Sequence, residues 1–120
     1  MSTFRVNAAA CNLRQPEKTT PPVEVLVDTG AELTWLPADL LETIGVVRLR
    51  PRDFLTATRQ RVRRDIGYAI LPTEGYETID EVVFAEPGDM NLLGVRTIEG
   101  FGVQVDNTVY RFISKSTLAV

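Results

Sequence analysis

Val23–Glu24–Val25–Leu26–Val27–Asp28–Thr29–Gly30–Ala31–Glu32–Leu33–Thr34–Trp35–Leu36–Pro37 is the stretch that decides how this chain folds. Its valine-rich start packs well on a pleated sheet, so Val23–Val27 is predicted to be a strand. The run carries one carboxylate, Asp28, to its end, and Gly30 then permits a turn that a residue with a Cβ would resist. Asp28 is expected at a rigid strand-to-loop junction, held in place as a working acid or base must be. Beyond it, Thr34–Trp35–Leu36 leads into a short helix over Pro37–Ile44. Pro37 suits its first position, Leu36, Leu40, Leu41 and Ile44 form one apolar face, and Gly45 suits its end.

Composition narrows the chemistry. With 120 residues, the chain is read as one domain over 1–120, large enough for a core. The net charge of −3 argues against a nucleic-acid partner. There is no histidine, which removes Ser-His-Asp and Cys-His catalysis along with the commonest metal ligand. Nothing has metal-ligand spacing, and no cofactor is expected. Cys11 is the only cysteine and is read as an inert strand residue in a protein without disulfides. Arg5 and Asn7 interrupt the apolar stretch before Cys11, so it falls short of a signal peptide, and no segment reaches membrane-helix length. The expectation is a cytoplasmic protein with no membrane partner.

The remaining pattern is mostly strands. Phe4–Leu13 is predicted to pair with Val23–Val27 as a hairpin, across the proline-containing loop Arg14–Pro22. Strands resume from Val46 to Arg64 about a hairpin tip at Ala57–Gln60, where arginines recur at alternate positions. Seven of the thirteen basic residues fall here and are read as a solvated face of the hairpin arms, with steering of acidic substrates as the other reading. Ile66–Leu71 and Thr78–Ala85 are two further strands. Met90–Leu93 is a short buried run, Val95–Phe101 a short helix, and Val103–Asp106 with Thr108–Ile113 a last hairpin. The sum is a mainly β, barrel-like domain with two small helices.

Two pieces of this pattern carry a likeness. Leu26–Val27–Asp28–Thr29–Gly30–Ala31 and the later Leu92–Leu93–Gly94–Val95, with the intervening Leu36–Pro37…Leu41…Ile44–Gly45 helix, resemble the retropepsin-like aspartic proteases. The small stand-alone bacterial and archaeal members are the most similar in plan. The resemblance implies a single-lobed, closed β-barrel of the acid protease type that assembles as a homodimer and cleaves peptide or protein substrates. It makes Asp28 the catalytic carboxylate and Thr29 and Gly30 the support of its loop. Ala31, Glu32, Met90 and Leu92 would border the substrate, with Thr58 and Arg59 at the tip of a closing flap. Leu92–Leu93–Gly94 would pack beneath the Asp28 loop, and Ser2–Val6 and Ser116–Val120 would be interface strands.

The chemistry agrees with that implication. Hydrolysis without a covalent intermediate needs one carboxylate as base and another as acid, and close carboxylates sharing a proton divide these roles. The chain has one Asp-Thr-Gly and no second such motif, so the site requires another copy. The sequence also departs from the family. The flap tip lacks glycine, the arginine expected at Val95 stands at Arg96, and Trp35 is unusually bulky. A dimeric module that binds peptides without cleaving them is therefore the alternative. Asp28 as a phosphoryl-transfer aspartate is a weaker third, because the alternating βαβ pattern is missing.

Overall fold

The computed structural model describes residues 4–116, 118 and 119. Nine strands and two short helices follow in the order β1 (Phe4–Ala8), β2 (Val23–Val27), β3 (Thr34–Pro37), α1 (Ala38–Thr43), β4 (Arg50–Leu55), β5 (Arg61–Thr73), β6 (Tyr76–Ala85), β7 (Leu92–Leu93), α2 (Val95–Gly100), β8 (Val103–Asp106) and β9 (Arg111–Ser114). The protein is thus mainly β, as its sequence pattern predicts.

Seven strands form one sheet in the order β1-β2-β7-β3-β6-β5-β4, and β1 also pairs with β5 through Ala8 and Thr73. The chain just after β1 extends this contact, since Cys11 and Ile70 exchange backbone hydrogen bonds of 2.8 and 3.0 Å. The hairpin expected of the first two strands is present, with Phe4 opposite Val27 and Ala8 opposite Val23. β8 and β9 form a separate two-stranded sheet. Its Phe112 joins Phe4, Tyr76 and Phe101 in an aromatic cluster with ring centroids about 6 Å apart.

Several local readings change. The first strand ends at Ala8 instead of Leu13, and β4 begins at Arg50 instead of Val46. Of the expected buried run Met90–Leu93 only Leu93 is buried, while Met90 is exposed. Thr34–Pro37 is a strand, β3, and Pro37 precedes α1 instead of opening it. The strand forms because β6 offers a parallel partner, with Trp35 beside Val83, while Leu92 of β7 lies on its other side. The second arm of the central hairpin and the predicted strand Ile66–Leu71 are one continuous strand, β5, which runs through Pro72. β9 begins at Arg111, because residues 107–110 are spent on the turn. Of the expected interface strands, Ser2, Thr3, Thr117 and Val120 lie outside the described residues. Phe4–Val6 is committed to β1, and Ser116, Leu118 and Ala119 belong to no strand.

The sheet buries both faces where β6 runs. Val82 and Phe84 enter the main core with Val25, Val27, Leu36, Leu41 and Leu93. Val83, on the opposite face, packs with Leu33 and Ile66 under Trp35 and Phe54. This two-sided burial explains why Val82–Ala85 reads as continuous apolar sequence without alternation. Among the described residues no helix is long and apolar enough to cross a membrane.

Candidate active site

Asp28 stands where the pairing of β2 with β7 ends. Leu26 donates to the Asn91 carbonyl and Asp28 to the Leu93 carbonyl, each at 3.0 Å, while Val25 and Val27 anchor the strand in the core. The chain then turns on itself. The Gly30 amide donates to Asp28 Oδ1 at 2.9 Å and the Ala31 amide to the Asp28 carbonyl at 3.1 Å. Asp28 is half-buried, whereas Thr29 and Gly30 are exposed.

The same loop caps α2. Among the described residues no side chain caps this helix, but Val95 donates to the Ala31 carbonyl at 2.8 Å and Arg96 to the Glu32 carbonyl at 3.2 Å. Two amides that a helix start leaves unpaired are thereby satisfied, and the loop is tied to the helix. Leu92–Leu93–Gly94 lies against the Asp28 loop, since the Leu93 carbonyl holds the Asp28 amide and Gly94 packs on the Leu33 backbone.

Beneath this junction runs a buried chain of hydrogen bonds. Gly94 N–H donates to Thr34 Oγ1 at 3.0 Å, Thr34 and Thr97 hydroxyls meet at 2.7 Å, and Thr97 Oγ1 donates to Asp80 Oδ2 at 3.0 Å. The ionised carboxylate can only accept, so the Thr97 proton goes to Asp80 and Thr34 must donate to Thr97. Every member is satisfied in one direction only. Thr97→Val would leave Thr34 and Asp80 short of a partner in the interior, and should lower unfolding stability by about 2 kcal/mol in a denaturant titration.

Asp80 and Glu81 are buried acids, and arginines compensate them. Arg96 donates to Glu81 at 3.1 Å and lies 3.4 Å from Asp80, while Arg52 donates to Glu81 at 3.2 Å. The hydrogen bond to Glu81 raises Arg96 above its ordinary value. The Arg96 side chain is therefore paired with β6, while its amide reaches the Glu32 carbonyl and its charge is also felt by Glu32.

An open cleft of about 720 Å³ lies over Asp28. Of the residues singled out from sequence, Gly30, Ala31, Glu32, Met90 and Leu92 line it with Asp28. Thr58 and Arg59 sit at the exposed hairpin tip outside the lining, to which Thr56 and Ala57 contribute instead. Trp35 is half-buried, belongs to the wall, and also packs edge-on against Phe54 at 5.0 Å. It serves core and cleft together. Phe54, Val62 and Asp89 were not legible as cleft residues. Phe54 and Val62 are ordinary strand positions, and Asp89 reads as part of a turn.

The alternating arginines divide by position. Arg61 and Arg63 flank the cleft residue Val62 and are exposed, with Arg63 joined to Asp53 at 3.2 Å. Arg64, on the same side as Val62, grips Asp89 at 2.7 Å. The hydrogen bond from Arg64 holds Asp89 below the usual carboxylate value of 3.8. Folded protein therefore takes up this proton less readily than unfolded chain. The resulting stabilisation is full well above pH 3.8 and is lost as pH falls through the lower, folded value. In acid-unfolding titrations, Asp89→Asn should narrow its stability gap to the parent protein as pH drops through that window.

Among the described residues, no three cysteine or acidic side chains converge as they would around a metal ion. Compared with known proteins, the chain matches no family model and no curated sequence.

Proposed function

We propose that this protein is a retropepsin-like aspartic endopeptidase, a homodimer of single-lobed closed barrels in which two copies of Asp28 share one active site. One observation carries the reading. Asp28 is mounted at a braced strand end in an open cleft, and the Thr29–Gly30 edge beside it is exposed. A half-site with an uncovered edge is what a two-fold axis would complete. One carboxylate takes a proton from water as its oxygen attacks the scissile carbonyl carbon. The other gives a proton to the departing amide nitrogen as the carbon–nitrogen bond breaks. The β4–β5 hairpin would lie over an extended peptide bound in the cleft, excluding water from it.

A second reading, a dimeric peptide-binding module without hydrolysis, draws on the hairpin tip. Residues 56–60 contain no glycine, Arg59 takes a positive φ of 62°, and Thr56 binds the amides of Arg59 and Gln60. Such a tip is stiffer than one built for opening. Incubation with a fluorescently labelled denatured protein separates the two readings, because the endopeptidase shortens it and the module retains it whole. Sedimentation of the same sample should give about twice 13.4 kDa at high concentration. A strict monomer there would end the shared-carboxylate mechanism.

A further inference from the structure

Arg64 and Asp89 join two walls of the cleft that come from distant parts of the chain. Arg64 belongs to the β5 arm rising to the hairpin tip. Asp89 ends the turn over residues 86–89, which leads through Met90 into β7. The guanidinium meets the carboxylate in two parallel hydrogen bonds, Nε to Oδ2 at 2.7 Å and Nη2 to Oδ1 at 3.0 Å. Their side chains are only 16% and 17% exposed.

Both partners are braced from behind. Asp89 Oδ2 also accepts the Glu86 amide at 2.8 Å, and the Asp89 amide donates to the Glu86 carbonyl at 2.9 Å. Pro87 and Gly88, the latter at φ 94°, occupy the middle of this turn, the placement that presets its shape. Arg64 Nη1 donates to the Arg63 carbonyl at 2.9 Å and stands 3.7 Å from Glu86. An exposed, single-point ion pair contributes little. A forked, largely covered pair between two held groups fixes a distance.

The distance it fixes is that between Val62, two residues before Arg64, and Met90, the residue after Asp89. Both line the cleft, and Met90 is 56% exposed there. We propose that the Arg64–Asp89 pair is a positioning device that sets the width of the cleft between Val62 and Met90, and so holds the wall against which a peptide side chain seats. The proposal rests on the peptidase reading above. Arg64 acts through its neighbour Val62, and Asp89, itself at the cleft wall, acts through its grip on Arg64 and through Met90; both are positioning residues, not catalytic ones.

Two variants test it. Asp89→Asn keeps the shape but loses the charge, and Arg64→Lys keeps the charge but loses the fork. With the labelled denatured protein, each should raise KM about tenfold, the scale of one charge-assisted hydrogen bond, and leave kcat unchanged. A fall in kcat at constant KM, or no change in either constant, overturns the proposal. Trp35, the only tryptophan, lines the same cleft and gives a readout that needs no turnover. Acrylamide should quench its fluorescence more strongly in both variants, and unchanged quenching in both overturns the proposal. If no form of the protein, including wild type, cleaves peptide, the peptidase reading fails. The quenching result then decides the width claim by itself, increased quenching supporting it.

Discussion

Replacing Asp28 by asparagine should lower peptide cleavage by about 10³-fold or more, the scale of lost general acid–base catalysis, while fold and association persist. Asparagine has nearly the same shape, and its carbonyl oxygen can still accept the Gly30 amide that holds Asp28 Oδ1 at 2.9 Å. The mount survives and the chemistry does not, because an amide neither takes a proton from water nor returns one. Mixing experiments sharpen the test. If each copy supplies one carboxylate, a mixed dimer is as inactive as a double variant. Freely exchanging equal amounts of wild type and variant should then retain about a quarter of the activity, the fraction of dimers with two intact copies. A site complete within one chain would retain half. A variant as active as the parent would remove Asp28 from the mechanism, and binding without cleavage by the wild type would favour the peptide-binding module.

Gly94→Ala should be the most damaging change outside Asp28, destabilising the protein by about 3 kcal/mol and lowering the thermal midpoint by roughly 10 °C. The backbone here is ordinary, with φ −88°, so the reason is space and not conformation. A Cβ on Gly94 would come within 2.4 Å of the Leu33 carbonyl carbon, 2.5 Å of its oxygen and 2.8 Å of the Glu32 oxygen. All three atoms are backbone and belong to the loop that caps α2, so relief requires moving that loop. The Gly94 amide would also be pulled from Thr34, at the head of the buried chain to Asp80. Gly75→Ala is the informative control. Its φ of 83° carries strain of about 1–2 kcal/mol, but among the described residues nothing lies within 4 Å of an added Cβ. Calorimetry on the two variants should show the larger loss at Gly94, and a Gly94→Ala protein melting with the parent would refute the close packing.

Much of the site's frame was legible in the chain because it is local. Val23–Val27 reads as a strand through its own residues, Gly30 announces the turn, and Val103–Asp106 pairs with a segment a few residues away. The Asp28 motif was found in the same way. The walls of the cleft were harder to see. Phe54 and Val62 look like any strand residues, and Asp89 looks like any turn acid. Only their pairing partners place them beside Asp28.

The same division separates what sequence and structure each decided. The sequence by itself determined a mainly β protein with two short helices, and one carboxylate set at a strand end in a chain without histidine. These follow from side-chain preference and glycine geometry, which act over a few residues. Tertiary structure decided that Thr34–Pro37 is a strand, since its partners β6 and β7 lie far along the chain. It also decided that Asp80 and Glu81 are buried acids answered by Arg96, and that Arg64 grips Asp89 beside the cleft. A charge in the sequence carries no mark of its partner, because ion pairs and sheet neighbours are chosen by the closing of the whole sheet.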